Sequence, residues 1–123
     1  MNAYQLRTEK RNITIDDRRT SLQLERYIWA NFESILDLTG LSLETAISAI
    51  DKRRHNAALA QTVRLFCMTY LRIYLERLTG GLHNLKDSSY EKGDILAASE
   101  SVPMDAISCY YQALDDLEKT SRK

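Results

Sequence analysis

A chain of 123 residues is long enough to bury one core without metals or disulfides as staples. Hydrophobic residues make up 44% of it and charged residues 28%, with four glycines and one proline, so the composition favours long helices over an all-β fold. Seventeen basic and seventeen acidic side chains cancel, which argues against a protein that coats nucleic acid indiscriminately.

The cancellation is uneven. Residues 1–78 carry twelve Lys/Arg against nine Asp/Glu, and residues 79–123 carry five against eight, so any affinity for phosphate belongs to the first part. The segment from Met1 to Asn12 is polar and mixed in charge, and no stretch approaches the roughly 18 uncharged residues of a membrane span. A cytoplasmic protein with no membrane partner is the expectation. Cys67 and Cys109 sit among apolar and aromatic residues without the paired spacing of a zinc or redox motif, which predicts buried core thiols.

In chain order, Asn12-Ile13-Thr14-Ile15 alternates polar and β-branched residues, as a second short strand or an ordered arm would. Arg19 to Glu25 then alternates with a period of two, which suits a half-buried strand. Leu22 and Leu24 project to one face of it, and Arg19, Ser21 and Gln23 to the other. From Tyr27 the period changes, and Ile28, Phe32, Ile35, Leu36 and Leu38 recur at helical spacing until Gly40 caps the end. Ser42 reads as the N-cap of a second helix with apolar positions Leu43, Ala46, Ile47 and Ile50, closed by Asp51-Lys52-Arg53-Arg54. Asn56 is expected to cap a third, longer helix whose stripe is Leu59, Val63, Phe66, Tyr70, Ile73 and Leu78, with Gly80-Gly81 as its stop.

Residues 80–93 hold three of the four glycines and predict a loop. After a short apolar piece around Ile95 to Ala98, Pro103 suits the first turn of a last helix carrying Met104, Ile107, Tyr110, Tyr111, Leu114 and Leu117. The expected organisation is therefore 1–79, a loop at 80–93, and a C-terminal helical extension at 94–123.

A lone strand followed by helices cannot satisfy its own edges, so a partner strand is needed. A second copy can supply it by pairing antiparallel across a two-fold axis, with the leucines covering the helices and the opposite face left free. The series Arg19-Thr20-Ser21-Leu22-Gln23-Leu24-Glu25, Ile28-Trp29, Gly40-Leu41-Ser42, Ile50-Asp51 and the helix from Ala60 to Tyr70 resembles a bacterial branch of the ribbon-helix-helix family, methionine-repressor-like DNA-binding domains, over about residues 11–75. The resemblance implies a mainly α fold: a homodimer with a short N-terminal strand paired across the two-fold and, here, an extra C-terminal helical extension. It also implies that the ribbon lies in the major groove of double-stranded DNA while the start of the second helix grips phosphates.

On this reading Arg19, Ser21 and Gln23 contact bases, because Arg pairs with guanine and Gln with adenine. Arg18, Ser42 and Leu43 contact phosphate, the last two through the positive end of a helix dipole. Lys10, Arg11 and Arg7 are candidates to track the backbone, whereas Glu44 in that helix's first turn would compete with phosphate. Leu22, Leu24 and Trp29 form the expected dimer core.

His55 and His83 are isolated, and Asp16-Asp17 and Asp115-Asp116 lack a His, Ser or Cys partner at a recognisable spacing, so neither an enzyme, a metal nor a cofactor is expected. The functional expectation is a dimeric, sequence-specific regulator, most simply a repressor. The alternative is an interaction module, antitoxin-like or adaptor-like, that meets a protein partner through the C-terminal extension.

Overall fold

A computed structural model of the chain describes residues 6–84 and 106–121. In chain order these form strands β1 (Thr8–Ile15) and β2 (Arg18–Glu25), then helices α1 (Arg26–Thr39), α2 (Leu43–Asp51), α3 (Leu59–Asn84) and α4 (Ala106–Ser121). A two-stranded ribbon followed by helices is the predicted fold. The source of the second strand differs: β1 and β2 pair antiparallel as a hairpin of one chain, with Thr8 opposite Glu25 and Ile15 opposite Arg18. Only the second half of β1 alternates cleanly in apolar character, since Glu9 and Arg11 occupy its inward positions, and for this reason the sequence shows half of the strand.

Asp16 and Asp17 make the turn with φ of 49° and 65°. Two consecutive left-handed residues are what a two-residue hairpin turn requires, because that backbone matches the right-handed twist of the strands. Asp tolerates this region less well than glycine. Asp17→Gly should therefore stabilise the protein by about 0.5–1 kcal/mol, seen as a rise of a few degrees in thermal midpoint. Asp16→Gly should gain less, because the Asp16 carboxylate also accepts hydrogen bonds from Ser48 Oγ at 3.2 Å.

The ribbon's inward face is Ile13, Ile15, Leu22 and Leu24, all at most 3% exposed. Trp29, Phe32 and Ile35 of α1, Ala46, Ile47 and Ile50 of α2, and Val63, Phe66, Tyr70 and Ile73 of α3 complete a continuous core with it. Leu22, Leu24 and Trp29, expected to meet a second copy, are thus covered by their own chain. Hairpin pairing explains the difference, because β1 satisfies one edge of β2 and its isoleucines widen the apolar face that the helices cover.

Helix α1 follows β2 without a loop, and Gly40 ends it in the left-handed region at φ 74°, its N–H donating to Leu36 O at 2.8 Å. Ser42 caps α2 as predicted, its Oγ accepting from Thr45 N–H at 3.2 Å. Helix α3 starts at Leu59 rather than directly after Asn56, and runs through Gly80-Gly81 to Asn84. A helical glycine costs about 1 kcal/mol relative to alanine, which is too little to stop a helix that tertiary packing holds. Residues 85–93 of the predicted loop, the piece around Ile95 to Ala98, Pro103 and Met104 lie outside the described residues.

Helix α4 belongs to the same core through Cys109, Tyr110, Ala113, Leu114 and Leu117. Phe66 sits at the junction, edge-on to Phe32 at 6.1 Å and to Tyr110 at 5.9 Å between ring centres. Tyr70 OH donates to Ala106 O at 3.3 Å and Arg77 Nη1 to Ser108 Oγ at 2.9 Å, fixing α4 along α3. Cys67 and Cys109 are both free and buried, and burial pushes the Cys67 thiol up to about 12.

Candidate nucleic-acid interface

With one face of the hairpin in the core, the alternation of strand side chains sends Thr8, Lys10, Asn12 and Thr14 of β1, and Arg19, Ser21 and Gln23 of β2, to solvent. Lys10 stands opposite Gln23, Asn12 opposite Ser21 and Thr14 opposite Arg19. Two cross-strand hydrogen bonds order this surface: Ser21 Oγ donates to Asn12 Oδ1 at 2.9 Å, and Gln23 Nε2 to Thr8 Oγ1 at 2.7 Å. The face is polar along its whole length. All three residues predicted to contact bases are on it, and β1 adds Lys10, Asn12 and Thr14. Sequence reasoning placed Lys10 only in an arm and left out the other two, although the alternation from Asn12 to Ile15 was the available signal.

Most arginines elsewhere meet carboxylates; among the described cations off the ribbon's outward face, Arg7, Lys52 and Arg77 do not. Arg11 stacks its guanidinium on Trp29, 4.2 Å from the ring centre, and pairs with Glu9 at 2.6 Å and Glu33 at 2.7 Å. Glu9 also meets Arg26 at 3.2 Å, while its carbonyl accepts from Trp29 Nε1 at 2.9 Å. Arg18, one of the predicted phosphate contacts, pairs with Asp51 at 2.8 Å and so ties the ribbon's turn end to α2. Arg54 pairs with the same carboxylate group at 2.7 Å, and Arg64 with Glu25 at 2.8 Å. Lys10 and Arg19, on the outward face, meet no carboxylate among the described residues.

Hydrogen bonds from the Arg64 guanidinium hold the Glu25 carboxyl below the ordinary carboxylate range, and a hydrogen bond from Arg11 does the same for Glu9. A carboxyl depressed in the folded state contributes stability above its unfolded pKa, and that contribution is lost as pH falls through the folded value. Glu25→Gln should thus be less stable than wild type at neutral pH. The two urea-unfolding curves should converge as pH falls below the ordinary glutamate range and through the depressed folded value, where the wild type loses the pair as well.

The start of α2 is less favourable to phosphate. Ser42 Oγ is engaged with both Thr45 N–H and Thr45 Oγ1, the latter at 2.8 Å, and Leu43 is half-buried against the core. Exposed Glu44 shares a cleft of about 570 Å³ with Asp16, Thr45, Ser48 and Lys52, so carboxylates stand beside the helix's positive end. No group of three or more His, Cys, Asp or Glu side chains with metal-binding geometry occurs among the described residues, and none of the described helices is long and apolar enough to cross a membrane.

A two-stranded antiparallel ribbon followed by helices that share a core beneath it is consistent with a ribbon-helix-helix protein, with both strands supplied here by one chain. The chain belongs to that family: the model of the ribbon-helix-helix domain matches residues 8–71, just over half of its length. The family is a non-enzymatic, DNA-binding fold whose members typically dimerise. No curated protein and no solved structure compared with the chain matched it.

Proposed function

We propose that the chain is a sequence-specific DNA-binding regulator, most simply a repressor that occludes a promoter, and that it acts as a homodimer whose ribbons enter the major groove of double-stranded DNA. The observation that carries this reading is the sorting of charge. Arg11, Arg18, Arg26, Arg54, Arg64 and Arg72 each meet a carboxylate, whereas Lys10 and Arg19 on the ribbon's outward face do not; Arg7, Lys52 and Arg77 meet none either, but they lie outside the two strands. Unpaired cations interleaved with the amides of Asn12 and Gln23 suit a surface that reads base edges, and a two-stranded ribbon has the width the major groove admits. Arg19, Ser21 and Gln23 are the base contacts of this proposal, joined by Lys10 and Asn12. Ser42 and the Leu43 amide serve as phosphate contacts beside the ribbon, with Arg18 able to exchange Asp51 for a phosphate.

The competing reading, a ribbon-helix-helix scaffold that binds a protein, draws support from the carboxylates of Glu44 and Asp16 at the start of α2. Titration of purified protein against a duplex selected from a random pool separates the two. A regulator retards the selected duplex at physiological salt and loses affinity steeply as salt rises, through counterion release. An interaction module retards no duplex under those conditions.

A further inference from the structure

We propose that two copies of the chain associate through the outer side of α3, packing antiparallel about a two-fold axis along the stripe Met68, Leu71, Leu75 and Leu78. This deepens the dimer part of the functional reading and is independent of its DNA part. Helix α3 is already buried on one side by its own chain, through Val63, Phe66, Tyr70 and Ile73. On turns facing away from that core, Met68 is 68% exposed, Leu71 47%, Leu75 58% and Leu78 41%. A helix with one buried side normally presents polar residues on the other, and apolar residues on both sides mark a helix with two partners.

The spacing identifies the second partner. Steps of three, four and three residues from Met68 to Leu78 keep the four side chains on one seam of the kind that packs helix against helix. The series reads the same in both directions, so two antiparallel copies bring Met68 against Leu78 of the second copy and Leu71 against Leu75, with no residue left facing a gap. Such a surface is complementary to itself, as a two-fold interface must be. Its rim fits the same partner: Arg72 and Glu76 flank the stripe and pair with each other at 3.1 Å, so two copies meet without like-charge repulsion. With Leu65 beside it, the stripe exposes on the order of 400 Å² of apolar surface, the scale of the largest patch on a single protein, which is often functional. The match to the family ends at residue 71, so Leu75 and Leu78 lie beyond the domain that the family shares.

Sedimentation of the full chain at micromolar concentration tests the proposal. Wild type should be a dimer. Leu71→Glu/Leu75→Glu should weaken the dimer at least about thirtyfold while far-UV dichroism and the cooperativity of unfolding stay as in wild type, because both side chains face away from the chain's core. Leu71→Cys mixed with Leu75→Cys should form an inter-chain disulfide far faster than either variant alone, which fixes the antiparallel register; buried Cys67 and Cys109 do not compete. A double variant that unfolds overturns the proposal, since the stripe then belongs to the chain's own core. A folded double variant that stays dimeric overturns it too, and leaves a dimer through another surface with the DNA reading intact. A monomeric wild type overturns it together with the dimer part of the functional reading.

Discussion

Leu24→Glu is expected to leave little folded protein, whereas Gln23→Glu, one residue earlier, is expected to fold as wild type does. Leu24 is 0% exposed beneath the ribbon, in contact with the single core that every described helix shares. Removing a buried leucine costs about 2–5 kcal/mol, and placing a carboxylate in the space adds several more unless the group is neutralised. Together these consume most of the roughly 5–15 kcal/mol that holds a domain of this size. Gln23 points to solvent, and losing its hydrogen bond to Thr8 should change stability by no more than about 0.5 kcal/mol. Urea unfolding followed by far-UV dichroism separates the two outcomes. Equal effects at the two positions would mean that the ribbon does not have one buried and one solvated face.

The second large effect concerns recognition. Arg19→Ala should lose preference for the selected duplex while keeping the wild-type fold, because the side chain is exposed and forms no ion pair that folding depends on. A bidentate contact to a base is worth about 1–3 kcal/mol, and a homodimer loses it twice, so discrimination should fall on the order of a hundredfold or more. Gln23→Ala should act in the same direction. Lys10→Ala tests the strand that only the hairpin brings to this face: if Lys10 meets a phosphate, its loss weakens binding to all sequences alike and lowers the salt dependence by about one counterion per copy. Ser42→Ala should weaken binding uniformly as well, and also lower stability by about 1 kcal/mol, because its hydroxyl caps α2. If Arg19→Ala and Gln23→Ala bind the selected duplex as tightly as wild type, the ribbon is not the reading element and the protein-binding alternative takes its place.

The charge arrangement links both expectations to one physical cause. Several cations at the core's edge are held by carboxylates, as Arg11 is by Glu9 and Glu33 over the Trp29 ring, where it stabilises the packing of ribbon on helix. Such groups are already satisfied and gain little from a phosphate. Lys10 and Arg19 carry no such obligation. An overall charge of zero is therefore compatible with a basic reading surface, provided the neutralisation is local rather than uniform.

Much of the fold was determined by the sequence alone. A period of two in β2 requires opposite fates for Leu22 and Leu24 on one side and Arg19, Ser21 and Gln23 on the other, whatever strand lies alongside. Helical spacing marks Phe32, Ile35, Ala46, Ile47, Ile50, Val63, Phe66 and Tyr70 as buried, and the Gly40 and Ser42 punctuation sets the boundary between α1 and α2 through local backbone chemistry. Tertiary structure decided what local patterns leave open. The partner of β2 is chosen by chain connectivity and by a turn of two left-handed aspartates, a conformation that an Asp-Asp pair does not announce. Arg11 interrupts the apolar alternation of β1, and only the Trp29 ring and two carboxylates from separate segments make its inward position tolerable. Likewise Leu78, read from sequence as the end of the α3 core stripe, and Tyr111, read as part of the α4 stripe, stand exposed, because periodicity assigns a face to a helix but the packing of α4 on α3 decides how wide that face is and where it ends.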